Sequence, residues 1–267
     1  MKPLTGKVAI VTGATKVKGL GRAIALELAK QGASIALTGR ESSKQGLEEV
    51  VQSIKDETGA IAIGVLVDVA DPQQVEQAIG KVANYLGGVD ILVNNAGIGA
   101  GSGVLLENTD RDWDANYAVN VKGTFAMCAG AIPEMEKRGG GSIVNVASLA
   151  GVGASVGMPY PYIATKHALV GATKALALEY GSKGITANVL APGAIATDML
   201  EEAYKAIAEA ESISVEEAAA LENSTIPLGR PAEPAEIAAA VSFLVSPAAK
   251  YVTGISVPVA GGMSAGI

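Results

Sequence analysis

Short runs of Val, Ile and Leu alternate with longer amphipathic stretches along this chain, and that alternation constrains the fold more than any other feature. Val8–Val11 is the first run; it is β-branched, too short for a helix, and stops at Thr12-Gly13, so it reads as a strand buried on both faces. Comparable runs occupy residues 34–38, 61–67, 91–93, 142–147, 186–190 and 255–259. Between the first two lies residues 21–31, where Ile24, Leu28 and several alanines form a helical stripe that Gly32 ends. Further helices are predicted over 43–57, from Asp71-Pro72 with Gln74 closing a capping box, over 110–131, and over 162–180. Strands and helices in strict alternation predict an α/β fold: about seven strands in a doubly wound parallel sheet, helices on both faces. With no linker, repeat or low-complexity tract, residues 1–267 are expected to form a single domain.

Residues 198–231 interrupt the pattern. They are rich in Ala and Glu, place Leu200, Ala203, Tyr204 and Ile207 on one helical face, and carry a second capping box from Ser214 to Glu217. Two short amphipathic helices after the sixth strand are expected to act as a flap over a pocket.

Composition removes several function classes. A net charge of −7 argues against a nucleic-acid or anionic-membrane partner. Cys128 is the one cysteine and His167 the one histidine. An intrachain disulfide and a clustered Cys/His metal site are therefore excluded, little room is left for a Ser-His-Asp triad, and a reducing cytoplasm is the expected setting. The first residues run straight into a strand, and no apolar run approaches the ~20 residues of a membrane helix.

In a doubly wound sheet, ligands bind beyond the carboxyl ends of the strands. The first such loop runs from Thr12 to Gly21 and carries Gly13, Gly19 and Gly21 before a helix. Glycines there let backbone approach a pyrophosphate, whose charge then lies at the helix N-terminus; Thr15, Lys18 and Leu20 belong to the same loop. The second strand ends Leu37-Thr38-Gly39-Arg40. NAD-selective sites usually end it with a carboxylate for the ribose hydroxyls. Glycine stands in that place and Arg40 follows, available with Lys16 and Lys18 for a 2′-phosphate, so NADP(H) is preferred, with NAD(H) as the alternative.

Tyr162 and Lys166 stand four residues apart on one helix face. A phenol with an ordinary pKa of about 10 is a poor base at neutral pH. A nearby ammonium, and the positive charge of an oxidised nicotinamide, would lower it and make it an acid/base for a carbonyl or alcohol. Tyr160 lacks a lysine at that spacing and reads as a pocket wall, while His167 points about 100° away from Lys166 and reads as a packing or interface residue. Other polar groups gather at strand ends: Asn94-Asn95-Ala96-Gly97 after the fourth strand, Asn145-Val146-Ala147-Ser148 on the fifth, and Pro192-Gly193-Ala194-Ile195-Ala196-Thr197 after the sixth; Asn120 lies on the intervening helix.

Together, in this order, these motifs closely resemble the short-chain dehydrogenase/reductase family over nearly the whole chain. The resemblance implies a Rossmann-type sheet and hydride transfer between a nicotinamide and a carbonyl or secondary alcohol. It implies Tyr162 as acid/base, Lys166 as the residue that lowers its pKa and holds the ribose, and Ser148 as partner of the substrate oxygen. Asn120 would hold a water linking Lys166 to solvent. Gly13, Gly19 and Gly21 would meet the pyrophosphate, Asp68 the adenine, and Asn95 would lie along the cofactor. Thr197, with the backbone of Ile195, would hold the carboxamide, and Val69, Ala96, Gly97, Pro192 and Gly193 join the cofactor-binding residues. Family members commonly form tetramers through two long helices, here 110–131 and 162–180, so a homotetramer or homodimer is expected.

Two departures from the family pattern stand out. Five residues rather than three separate Gly13 from Gly19, as in enoyl-thioester reductases, which reduce a carbon–carbon double bond. Those enzymes have six residues between tyrosine and lysine, but seven positions before Lys166 is Pro159, which favours carbonyl chemistry. Ser148 and Tyr162 are also one position further apart than usual, the extra residue falling in 151–161, an uncharged loop expected to wall the pocket and to suit a neutral or modestly polar carbonyl compound. Substrate classes left open are 3-oxoacyl thioesters, sugars or polyols, and small or cyclic ketones; an acyl-carrier-protein substrate would need a basic docking patch that this acidic chain does not advertise. A regulator that senses NADP without catalysis is the rival of another class, and it would be expected to have lost part of Ser148, Tyr162 and Lys166.

Overall fold

A computed structural model of the chain describes residues 2–155 and 157–264; Val156, within the 151–161 loop, lies outside the described residues. Seven strands form one sheet: β1 (Val8–Val11), β2 (Ser34–Gly39), β3 (Ala62–Leu66), β4 (Ile91–Asn94), β5 (Gly141–Val146), β6 (Ile185–Pro192) and β7 (Ser256–Val259). Their order is β3-β2-β1-β4-β5-β6-β7, and every pairing is parallel. The helices are α1 (Leu20–Lys30), α2 (Lys44–Thr58), α3 (Pro72–Leu86), α4 (Asp110–Asn116), α5 (Thr124–Lys137), α6 (Tyr160–Tyr180), α7 (Asp198–Glu211), α8 (Val215–Ser224) and α9 (Pro234–Val245).

The two-residue period of the strands sorts their side chains into two cores. Ala9 and Val11 of β1 face a layer containing Ile24 and Leu28 of α1, Val50 of α2 and Ile237 and Val241 of α9. Val8 and Ile10 face the opposite layer, with Val75 and Ile79 of α3 and Met127 and Ala131 of α5. Each fully buried Leu or Ile contributes roughly 1.5–3 kcal/mol, which explains why strands covered on both sides read as unbroken apolar runs. Strand order reverses at β1, which lies between β2 and β4. The crevice opened there, beyond the carboxyl ends of β1, β4 and β5, is where an open α/β sheet takes its ligand.

The long helix expected over 110–131 is divided into three. A π-helical segment, Tyr117–Gly123, joins α4 to α5, and α5 runs past Pro133 to Lys137. Burial of Ile132 and Met135 against the sheet outweighs the hydrogen bond that Pro133 removes. Helix α6 begins two residues earlier than expected, because Pro159 serves as its N-cap and Pro161 fits its first turn. At α3, Asp71 accepts the Gln73 and Gln74 N–H groups as foreseen; the Gln74 side chain donates through Nε2 to Asp71 Oδ2 (2.9 Å), while its Oε1 accepts the N–H of Asp68 rather than that of Asp71.

At the opposite end of the sheet, Asp90 is 3 % exposed and accepts from Lys7 Nζ (2.9 Å), Arg138 Nη2 (3.0 Å) and the Val8 N–H (3.0 Å). Burial raises its pKa, but Arg138 and Lys7 more than offset that and hold it below the usual carboxylate value. The clamp ties β1, β4 and the end of α5 together away from the crevice.

Candidate active site

The glycine loop after β1 is fastened to the turn after β4. Thr12 Oγ1 accepts the N–H groups of Asn95 and Ala96, both at 3.0 Å, while Asn95 Nδ2 donates to the carbonyls of Thr12 (2.9 Å) and Gly13 (3.2 Å). Gly13 has φ +68°, and a Cβ there would lie 2.8 Å from Ala96 Cα. A Cβ on Gly21 would lie 2.8 Å from Asn95 Nδ2 and 2.9 Å from Ala14 Cα. Only glycine admits this approach of backbone to backbone. Gly19, as N-cap of α1, brings no side chain, so the first N–H groups of the helix remain available to an anion. These features fit the pyrophosphate of a dinucleotide.

Arg40 is exposed at the end of β2. Lys16 Nζ reaches Asp198 Oδ2 at the start of α7 (3.9 Å), and Lys18 lines a cleft of about 390 Å³ between α1 and α9. Asp68 Oδ1 accepts the N–H of Ala70 (3.0 Å), and Val69 is buried against Gly123 at the end of the π-helical segment.

Strand β5 and helix α6 bring the reactive side chains together. Lys166 is 4 % exposed; its Nζ donates to the Val146 carbonyl at 3.0 Å and lies 5.4 Å from the Tyr162 ring centroid. Ser148 follows β5 in extended backbone and accepts the Ala150 N–H at 3.1 Å, which fixes its side chain toward the rim. A Cβ on Gly97 would lie 3.3 Å from both Lys166 Nζ and Asn120 Oδ1, and one on Gly99 would lie 3.5 Å from the Tyr162 ring. The turn after β4 thus passes directly over the α6 pair.

The electrostatics differ from the expectation in one respect. Burial holds the Tyr162 phenol above its ordinary value, with the Ser148 hydroxyl opposing. Burial also pushes Lys166 down to about 8. The lysine is itself desolvated and turned to the Val146 carbonyl, so the protein's own groups do not lower the phenol as the spacing suggested.

Asn120 is fully buried within the π-helical segment. Its Oδ1 accepts the Ile98 N–H (2.8 Å), and its Nδ2 donates to the Ile98 carbonyl (2.8 Å) and to Thr165 Oγ1 (3.1 Å), with Asn116 Oδ1 at 3.3 Å. The side chain is committed to these groups, leaving one lone pair on Oδ1 for a water. Asn116 continues the network to the Ala100 carbonyl (2.9 Å), and Thr165 donates to the Tyr162 carbonyl (2.9 Å). Sequence reading missed Thr12, Asn116 and Thr165. For two of them a signal existed: Asn116 stands four residues before Asn120 on one helical stretch, and Thr165 is a hydroxyl next to Lys166.

Beyond β6, Pro192 ends the strand and the Gly193 N–H donates to Val259. Ile195 forms a parallel bridge with Ala232, and Thr197 caps α7 with its Oγ1 3.4 Å from the Ile195 carbonyl. Residues 197–231 therefore leave and return through one narrow base. Within them Ala208, Ala218 and Ile226 are buried, and Tyr204 bonds Asn223 across the two helices (3.0 Å). His167 is exposed and bonds the Ile163 carbonyl, and Tyr160 is half-exposed beside Ser102, outside the reactive cluster.

A family profile described as Enoyl-(Acyl carrier protein) reductase matches residues 13–264. The chain is 39 % identical over 260 residues to Dehydrogenase/reductase SDR family member 4 of Oryctolagus cuniculus, covering 97 % of this chain and 94 % of the relative. This chain is a short-chain dehydrogenase/reductase. A 3-oxoacyl-[acyl-carrier-protein] reductase of Staphylococcus aureus is 38 % identical over 257 residues, 96 % of this chain and 98 % of the relative. The solved structure of L-sorbose reductase from Gluconobacter frateurii, complexed with NADPH and L-sorbose, superposes with a TM-score of 0.92 at 33 % identity and covers 100 % of both chains. Like the other members of the family, the protein is an NAD(P)-dependent oxidoreductase acting on a small molecule. Among the described residues, no helix is long and apolar enough to cross a membrane, and no group of three or more His, Cys, Asp or Glu side chains could hold a metal ion.

Proposed function

We propose that the protein is an NADP(H)-preferring reductase of ketones or aldehydes, running in reverse as a secondary-alcohol dehydrogenase. The observation that carries this reading is a desolvated lysine, Lys166, held beneath Tyr162 and beside Ser148 at the mouth of a dinucleotide crevice. The cofactor, when bound, supplies or accepts the hydride. Ser148 donates a hydrogen bond to the substrate oxygen, and Tyr162 delivers a proton to it during reduction. Lys166, titrating at about 8, carries its proton through most of the neutral range and can bind ribose hydroxyls, while Ser148 is the group that opposes the upward shift of Tyr162. Asn120 orders the wall above them through Ile98.

Gly13, Thr15, Gly19, Leu20 and Gly21 would cradle the pyrophosphate half, Asp68 and Val69 the adenine, and Asn95, Ala96 and Gly97 the middle. Pro192, Gly193, Ile195 and Thr197 would hold the carboxamide. Arg40 supports the NADP preference, since a guanidinium pairs with a phosphate and finds no carboxylate competing at Gly39; the NADPH in the sorbose reductase complex agrees. Lys18, lining the α1–α9 cleft, would join the phosphate-binding group from the far side of the loop. Carbonyl reduction is favoured over double-bond reduction because Pro159 occupies the position that would require a tyrosine.

The reading extends to assembly and surroundings. Residues 198–231 act as a substrate flap, and α5 and α6 form the contact of a cytoplasmic homotetramer, the 87 % exposed Leu178 of α6 being one side chain it would cover. Light scattering would test the assembly.

The deciding experiment follows oxidation of NADPH and NADH across a panel of ketones, aldehydes, sugars and 3-oxoacyl thioesters. Tyr162→Phe is expected to abolish turnover while cofactor binding survives, and unchanged turnover would overturn the mechanism. Binding without turnover on every substrate would favour a cofactor-sensing regulator instead.

A further inference from the structure

The longer first loop and the missing acid at the end of β2 are one structural feature. The extra residues form an exposed turn closed by the Gly19 N–H on the Lys16 carbonyl (2.9 Å), and this turn throws the preceding residue, Thr15, back onto β2. The Ala14 N–H donates to the Thr38 carbonyl (3.1 Å). A Cβ built on Gly46 would lie 2.2 Å from the Thr15 carbonyl oxygen, so the backbone of residue 15 is seated on α2. Its Cγ2 methyl then covers Gly39: a Cβ there would lie 2.2 Å from that methyl but 3.7 Å from Thr15 Cβ.

We propose that Thr15 determines cofactor specificity by occupying the space over position 39 that a ribose-binding carboxylate would need. The inference rests on the NADP reading above and adds a cause to it. Carbon atoms in contact stay about 3.5–4.0 Å apart, so any side chain at position 39 collides with the Thr15 methyl. A threonine is stiff at χ1, and its backbone is pinned by Gly46 and Thr38, so the methyl has little room to yield. Removing the methyl alone leaves an ordinary 3.7 Å contact. The acid is therefore barred from position 39 by the loop, and Arg40 meets no competing carboxylate from that position.

The test is a cycle of Gly39→Asp, Thr15→Ala and the double variant, each assayed with NADPH and NADH. Gly39→Asp alone should lose NADPH efficiency without gaining NADH efficiency. The double variant should exceed it in kcat/KM for NADH by about tenfold or more, because the carboxylate can then reach the ribose. Equal NADH efficiency of the single and double variants, or a double variant no better than wild type with NADH, would overturn the proposal. A milder cycle without cofactor keeps the test open should Gly39→Asp fold poorly. Gly39→Ala should lower the melting temperature, and Thr15→Ala in the same chain should restore most of the loss; independent, additive effects would refute the contact. Wild-type preference for NADH would sink the cofactor reading alone, since the melting cycle reads the contact directly.

Discussion

Replacing Thr165 by valine should slow turnover without weakening cofactor binding. Valine keeps the branched shape and nearly the volume of threonine in this fully buried position, so packing is preserved and only the hydroxyl is lost. That hydroxyl accepts from Asn120 Nδ2 (3.1 Å) and donates to the Tyr162 carbonyl (2.9 Å). An orphaned buried donor costs about 1–3 kcal/mol. Here Asn120 has a substitute in Asn116 Oδ1 at 3.3 Å and keeps its bond to Ile98, so a loss of about 1–2 kcal/mol is expected. In a chain of 267 residues that lowers the melting temperature by roughly 2–4 °C. The same bond couples the turn after β4 to the backbone of Tyr162, the acid/base of the proposed function. Losing it should therefore lower kcat by about three- to tenfold, a barrier change of roughly 0.7–1.4 kcal/mol. Steady-state kinetics give the split: kcat falls, KM for NADPH holds, and Thr165→Ser recovers most of the rate. A lower melting temperature with kcat unchanged would make Thr165 purely structural and refute the coupling.

Two further outcomes follow from buried charge. Asp90→Ala should cost about 2–4 kcal/mol, mainly through the orphaned Val8 N–H, because Lys7 and Arg138 are partly exposed and regain water. Asp90 is held below its unfolded pKa, so its stabilisation is complete above that value and is lost as pH falls through the folded one; in denaturant melts the variant should show less acid sensitivity than wild type. Lys166 has the opposite pH dependence: with a folded pKa of about 8 against 10.5 unfolded, the unfolded chain binds more protons between these values, so stability rises with pH across that window. Lys166→Met should lack this rise, be more stable than wild type at neutral pH by a few kcal/mol at most, and lose turnover; an identical pH–stability slope in both proteins would show that the lysine is not desolvated.

The sheet was legible because parallel strands covered on both faces must be apolar throughout, so Val8–Val11 and its counterparts declare themselves. Strand ends carried the site for the same reason: polar residues such as Asn94 and Ser148 appear abruptly where the apolar runs stop. The division of the 110–137 helix was not legible, because a π-helical turn changes which residues share a face without changing composition. Asn116 and Asn120 then both turn inward and join Thr165, a relation that exists only after folding. The direction of the Tyr162 shift was likewise hidden, since spacing shows that a lysine is near but not that burial of the phenol outweighs whatever lowers it.

Anchoring is distributed unevenly around the crevice, and the groups assigned to proton transfer under the proposed function lie where it is densest. Lys166, Asn120 and Thr165 are each at most 4 % exposed and are bonded to the backbone of β5, the turn after β4 or α6. Proton transfer needs reacting groups held to a fraction of an ångström, and these elements can hold them. The surfaces that would meet the substrate are built otherwise. The turn after β4 exposes Val104, Leu105 and Leu106, and within residues 198–231 only Ala208, Ala218 and Ile226 are buried before the chain returns through the Ile195–Ala232 bridge. Such segments open at low cost in free energy. Under the proposed function, substitutions in these segments would alter substrate preference while Tyr162, Lys166 and Ser148 stay in register. A fold shared with both an L-sorbose reductase and a 3-oxoacyl-[acyl-carrier-protein] reductase does not by itself select a substrate, so under the proposed function that selection would fall to these less anchored surfaces.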